Sequence, residues 1–186
     1  MTECSRLAFT TARLHACWLD KTDWPYYCAL QQNPAVMRFI RDIESEVAIA
    51  VRFQQQLAST DLQRSYSLWL SDGRFAGLAG FWLDEDQHKA ELGFILVPEL
   101  QGQGVGRELV KALIAEAWAE PTVHKLVATV TAGNEGSRRV LVNNGFVQEG
   151  CLRQHYWLAG RWHDDWVFGL LRSEAAPSST ASSVTD

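Results

Sequence analysis

The segment Val97-Pro98-Glu99-Leu100-Gln101-Gly102-Gln103-Gly104-Val105-Gly106-Arg107 carries glycine at three alternate positions. Lacking Cβ atoms, such a stretch reaches positive φ and lets a ligand approach the backbone. It joins an apolar run to an amphipathic one, so its successive N–H groups gather at a helix start, where the dipole adds positive potential. That is the chemistry of a pyrophosphate held by backbone amides, with Arg107 adding a fixed charge in the first turn. A Walker loop needs Lys and Ser/Thr after its last glycine, and Arg107-Glu108 stands there instead. A Rossmann fingerprint needs GxGxxG at the first strand. Here the pattern is GxGxG, late in the chain, with Leu109 where the third glycine would fall. The remaining alternative is a glycine-rich turn that binds nothing.

Three further residues could do chemistry. Glu91 sits inside the apolar run Ala90 to Val97, where a carboxylate is costly to bury unless it is paired or put to use. On a strand it shares a face with Gly93 and Ile95, while Leu92 and Phe94 point the other way. Asn134 precedes a helical run and reads as its N-cap. Ser137, one turn on, either offers a hydroxyl to a ligand or faces solvent.

The elements that must position these groups alternate along the chain. Leu7 to Thr11 reads as a short strand, and Trp24 to Met37 and Glu44 to Leu57 as helices, the second with carboxylates at its start. Tyr66 to Leu70 and Phe75 to Leu83 form a hairpin around the turn Ser71-Asp72-Gly73-Arg74. Ala90 to Val97 is a strand. Val105, Leu109, Leu113 and Ala117 recur at helical spacing in a helix that Pro121 closes. Leu126 to Val130 reads as a strand buried on both faces. Asn134 to Asn143 is a helix stopped at Asn144-Gly145. Strands around Phe146 to Leu152 and Asp165 to Leu171 flank a turn at Ala159-Gly160. This order gives an α/β (α+β) fold, a mixed sheet with helices on both faces.

Composition narrows the class. The hydrophobic fraction of 47% and charged fraction of 21% suit one globular domain, placed at residues 1–172, with a Ser/Ala-rich disordered tail at 173–186. A net charge of −5 gives no global attraction to nucleic acid or anionic lipid. The four cysteines contain no CxxC pair and the five histidines are scattered, so no metal is expected. The cysteines read as reduced and mostly buried. No apolar run approaches the ~20 residues needed to span a bilayer, and the first residues lack a signal peptide's basic start and apolar stretch. The expectation is a cytoplasmic protein with no membrane partner, monomeric or homodimeric.

The pattern Gln101-x-x-Gly104-x-Gly106, followed by Asn134-Glu135-Gly136-Ser137, Asn144-Gly145-Phe146 and Glu149-Gly150, resembles the GNAT superfamily of N-acetyltransferases. With Ala90-Glu91-Leu92-Gly93-Phe94 before the loop and Glu149-Gly150-Cys151-Leu152-Arg153 after the helix, it is similar to the ribosomal-protein N-terminal branch. The resemblance implies a mostly antiparallel sheet splayed between two parallel strands, Ala90 to Val97 and Leu126 to Val130. It implies acetyl-CoA as co-substrate, held by Phe94, Ile95, Leu96 and Val97, by Gln101, Gly102, Gln103, Gly104, Val105, Gly106 and Arg107, and by Asn134 and Ser137. The acceptor would be a primary amine, either a peptide N-terminus or a small molecule such as an antibiotic, polyamine or amino acid. A catalytically silent acyl-CoA-binding module is the other reading.

Acetyl transfer needs a neutral amine and a proton for the departing thiolate. Glu91 is the candidate base, directly or through a water, with a structural ion pair as the alternative. Much of the superfamily carries a thiolate-protonating tyrosine seven residues after the Asn. Leu141 stands there, leaving Ser137, on the same helical face, as the candidate donor. Tyr156 competes for that role with a phenol of ordinary pKa about 10, at a place where the ribosomal-protein branch can carry an acidic residue. Trp24-Pro25-Tyr26-Tyr27 either roofs the acceptor pocket or packs a helix start. Trp157, Trp162 and Trp166 read as packing residues.

Overall fold

The computed structural model describes residues 6–58 and 61–175. Nearly all of the tail expected at 173–186, and Cys4, lie outside the described residues.

Among the described residues, eight strands form one sheet in the order β1-β2-β3-β4-β5-β6-β8-β7. They are β1 (Leu7–Thr10), β2 (Leu14–Trp18), β3 (Gln63–Leu70), β4 (Phe75–Leu83), β5 (Lys89–Leu96), β6 (Lys125–Thr131), β7 (Val147–Leu158) and β8 (Arg161–Leu171). Every neighbouring pair is antiparallel except β5–β6, which is parallel. Among the described residues, five α-helices cover the two faces: α1 (Trp24–Gln31), α2 (Pro34–Met37), α3 (Glu46–Leu57), α4 (Val105–Trp118) and α5 (Glu135–Val142). One apolar cluster joins the sheet to Leu109 and Leu113 of α4 and Leu141 of α5. A second joins Leu78 to Tyr27, Leu30, Ile49 and Phe53 of α1 and α3. The mixed sheet with helices on both faces is as expected.

Four elements differ from expectation. Strand β2 was unforeseen, although Leu14 and Ala16 are buried while His15 faces out, the alternation of a half-buried strand. The helix expected over Trp24 to Met37 breaks after Gln31, because Asn33 precedes Pro34 and takes an extended backbone. Its side chain then accepts from Ala35 N at 3.0 Å and starts α2. Strand β6 is not buried on both faces: Thr129 is exposed and Val127 half-buried, since the strand parts from β5 there. The final hairpin is far longer than expected, and its outer strand is exposed from Val147 to His155. Of the cysteines, Cys17 and Cys28 are buried, but Cys151 is exposed on that strand.

Candidate active site

Pairing between β5 and β6 ends at Glu91↔Val127, while β5 continues to Leu96 and β6 to Thr131. The two strands therefore splay, and the β5 backbone beyond Glu91 is paired only on its β4 side. An open edge of this kind presents hydrogen-bonding groups to an extended ligand. Two cavities, of about 640 and 450 Å³, meet at the splay, and Phe94, Ile95, Asn134 and Ser137 border both.

The smaller cavity ends at the glycine loop. Gly102 and Gly104 have φ of +73° and +78°, and Gly104 is the N-cap residue of α4 with no side-chain capping bond. A Cβ on Gly102 would meet nothing within 4 Å, and one on Gly104 would find only the Arg13 guanidinium at 3.7 Å. The loop is thus an open cradle of backbone N–H groups at the positive end of a 14-residue helix. Gly106 serves differently: a Cβ there would stand 3.2 Å from Val140, so its absence lets α4 pack on α5. Arg107, Arg38 and Arg139 all line this cavity, a local basic wall in an acidic chain. These features fit an acyl-CoA, with an amide-rich arm along β5 and a pyrophosphate in the loop.

Most of the expected cofactor residues line this cavity, but Val97, Gln103 and Val105 do not. Val97 packs against the α1–α3 cluster, and Val105 is fully buried in the main core. The Gln103 carbonyl accepts from Arg13 Nη1 at 2.8 Å. Arg13 also pairs with Glu108 at 2.8 Å, tying the β1–β2 turn to the loop. Burial opposes ionisation of Glu108, but hydrogen bonds from Thr11 and Arg13 outweigh it and hold its carboxyl below the usual range. This brace spans some 90 residues of sequence, and no local pattern announces it.

The larger cavity lies on the α1–α3 side. Glu91 lines it, yet its residue is exposed, so the carboxylate is open to the cleft and not buried in a strand interior. Gly93 makes room for the neighbouring Trp82 ring, which a Cβ would approach to 2.9 Å. Asn134 caps α5, its Oδ1 accepting from Ser137 N at 3.2 Å. The Ser137 hydroxyl has no hydrogen bond among the described residues, whereas Leu141, one turn on, is fully buried.

Tyr156 also lines this cavity, but its hydroxyl donates to the Ile40 carbonyl at 2.8 Å. That proton is engaged in holding the 38–42 segment, and Ala159 N donates to Asp42 Oδ1 at 2.9 Å in support. Trp24 and Tyr27 pack on Phe53, and Tyr26 on Trp69 and Phe75; none of the three borders the cavity, so this cluster is helix packing and not a roof. Trp157 and Trp162 form an exposed edge-to-face pair 5.3 Å apart, and Trp166 packs on the core.

The structure adds a pair that the sequence reading did not single out. His155 Nδ1 lies 2.8 Å from Oδ2 of Asp165, which is 5% exposed, and both residues border the larger cavity. A bulge in β7 sets three residues, 153 to 155, against one on β8. Gln154, at φ +46°, donates its N–H to Asp164 Oδ1 at 2.8 Å. Bulges re-aim side chains in this way beside functional sites. The one sequence signal was two adjacent aspartates opposite a histidine across a hairpin.

Splayed strands, a backbone cradle at a helix start and an adjoining cleft are the features of an acetyltransferase fold. The chain belongs to the acetyltransferase (GNAT) domain family, whose model matches residues 13–147. It is 32% identical over 106 residues to the putative ribosomal N-acetyltransferase YdaF of Bacillus subtilis, covering 56% of this chain and 58% of that one. It therefore spans little more than half of that relative's length. It is 30% identical over 136 residues to the ribosomal-protein-serine acetyltransferase of Escherichia coli K12, covering 73% and 75%. In fold it matches the spermidine N-acetyltransferase of Vibrio cholerae, solved with CoA and spermine, at a TM-score of 0.78 and 22% identity over 87% of this chain and 97% of that one. No helix among the described residues is long and apolar enough to cross a membrane, and they contain no group of three or more His, Cys, Asp and Glu placed to hold a metal.

Proposed function

We propose that this chain is a cytoplasmic N-acetyltransferase that moves an acetyl group directly from acetyl-CoA to a primary amine. The meeting of the two cavities at the β5–β6 splay carries the reading, because it puts a cofactor-shaped groove and an acceptor cleft against the same residues. Bound acetyl-CoA supplies an acyl thioester, which an uncharged amine attacks. Gly102, Gly104 and the first turn of α4 hold the pyrophosphate, with Arg107, Arg38 and Arg139 facing its charge. The open edge of β5 and Asn134 orient the pantetheine amides.

On the acceptor side, Glu91 takes the proton that the amine loses as the C–N bond forms. The His155–Asp165 pair stands ready to relay it: with Nδ1 held by the carboxylate, Nε2 is the free acceptor. As the C–S bond breaks, the Ser137 hydroxyl donates a hydrogen bond to the sulfur. Tyr156 positions the cleft wall, since its own proton is committed to Ile40.

Free-thiol release from acetyl-CoA over short peptides, polyamines, aminoglycosides and amino acids tests the transferase. At least one amine should drive turnover well above the hydrolysis background. Acetyl-CoA that raises the melting temperature without thiol release from any amine would leave a binding module instead. Ser137→Ala should slow single-turnover transfer by roughly 10- to 150-fold while changing acetyl-CoA affinity little, as loss of a hydrogen bond worth about 1.5–3 kcal/mol predicts. An unchanged rate would remove the serine from the chemistry and leave water as the proton source.

A further inference from the structure

The acceptor cleft has two chemically distinct walls. Glu91, His155 and Asp165 come from strands β5, β7 and β8. The opposite wall is helical: Gln31 comes from α1, Arg41 from the segment between α2 and α3, and Arg52 and Gln56 from α3. Buried polar atoms without a hydrogen bond concentrate on this second wall. They are Gln31 Oε1, Arg41 Nε and Arg52 Nη1, with Tyr27 Oη and Glu44 Oε2 beside them. Gln31 is only 6% exposed. Arg52 Nη2 lies 2.5 Å from Glu44 Oε2 without hydrogen-bond alignment, and Arg41 has no ion pair among the described residues, so two guanidiniums stand against one carboxylate on the helical side, across the cavity from Glu91 and Asp165. Burial pushes the Tyr27 phenol above its ordinary range, which keeps it a neutral donor beside the two arginines.

Guanidinium N–H groups left without acceptors are costly, and a ligand carboxylate is the acceptor whose charge suits them. The same charges repel a second ammonium group. Resting on the N-acetyltransferase reading above, we infer that the acceptor is a primary amine that also carries a carboxylate, its amine toward Glu91 and its carboxylate toward Arg41 and Arg52. A polyamine ammonium would meet the Gln31 and Glu44 oxygens only beside two guanidiniums that repel it. A free amino acid and an acidic peptide N-terminus both present the required chemistry.

Acceptor pairs that differ in the carboxylate decide the matter. Lysine is compared with cadaverine, and the C-terminally amidated peptide Ser-Glu-Glu-Ala with amidated Ser-Lys-Lys-Ala, alongside spermidine. The carboxylate-bearing member of at least one pair should have a kcat/KM roughly 10- to 100-fold higher, the range of one charge-assisted hydrogen bond. A lysine advantage identifies a small-molecule acceptor, and a peptide advantage an acidic N-terminus. Arg41→Gln should erase the preference through KM, with kcat retained at saturating acceptor. Preference for cadaverine, spermidine or the basic peptide, or equal rates within both pairs, overturns the inference while the transferase reading stands. If no amine releases thiol, that reading fails, and calorimetry in the presence of CoA judges the wall alone. There N-acetyllysine should bind at least about tenfold more tightly than N-acetylcadaverine, and equal or absent binding overturns the inference.

Discussion

Replacing Glu91 by Gln is expected to lower kcat/KM by roughly 10²- to 10⁴-fold, the usual value of one positioned base. The loss should be largest at low pH, where more of the acceptor is protonated and proton removal limits the rate. An α-amino acceptor with ordinary pKa about 8 should show a smaller loss than a lysine side chain near 10.4. Acetyl-CoA affinity should be unaffected, because Glu91 borders only the acceptor cavity. The exposed carboxylate makes no ion pair or side-chain hydrogen bond among the described residues, so the substitution leaves the fold intact. Comparing His155→Gln across the same pH range apportions the proton between the two groups. Full activity of Glu91→Gln at every pH would exclude it as the base.

The second large effect is on binding. At 100 times its Kd, acetyl-CoA should stabilise the parent by about 2.7 kcal/mol, seen as a raised melting temperature. Gly104→Asp should abolish that shift. The residue sits at φ +78°, which Asp tolerates better than most residues, and a new Cβ meets only the Arg13 guanidinium at 3.7 Å. The variant therefore folds, but it sets a carboxylate against the expected pyrophosphate and offers Arg13 a competing partner. A folded variant that keeps the parent's response to acetyl-CoA would show that the loop is not the anion site.

The fold and site are legible in the sequence wherever the signal is local. The glycine loop, the hairpin turn at Ser71–Arg74 and the Asn134 cap all rest on residues within one turn of each other, and each element formed near its expected place. Legibility ends where long-range packing decides. The apolar neighbours of Glu91 left open whether it was a base or a structural partner on its strand; strand divergence, which no local pattern reveals, opens that face to a cleft. The helix break at Asn33-Pro34 is written in the sequence, because a residue preceding proline is pushed toward extended backbone. His155 was invisible for a different reason: its role depends on a three-residue bulge whose register no alternation pattern reveals. Likewise Arg41 and Arg52 acquire meaning only once α1, α3 and the sheet enclose a cavity between them.

The short segment from Arg38 to Arg41 has a thermodynamic consequence. Arg38 borders the cofactor cavity, Arg41 borders the acceptor cleft, and Phe39 and Ile40 between them border both. The Tyr156 hydroxyl and the Asp42 carboxylate clip this stretch to the β7–β8 hairpin. In the proposed reaction one wall thus serves two ligands, so any displacement of it by one is met by the other. The two occupancies are then linked equilibria. Any factor by which cofactor tightens acceptor binding is, by reciprocity, the factor by which acceptor tightens cofactor binding.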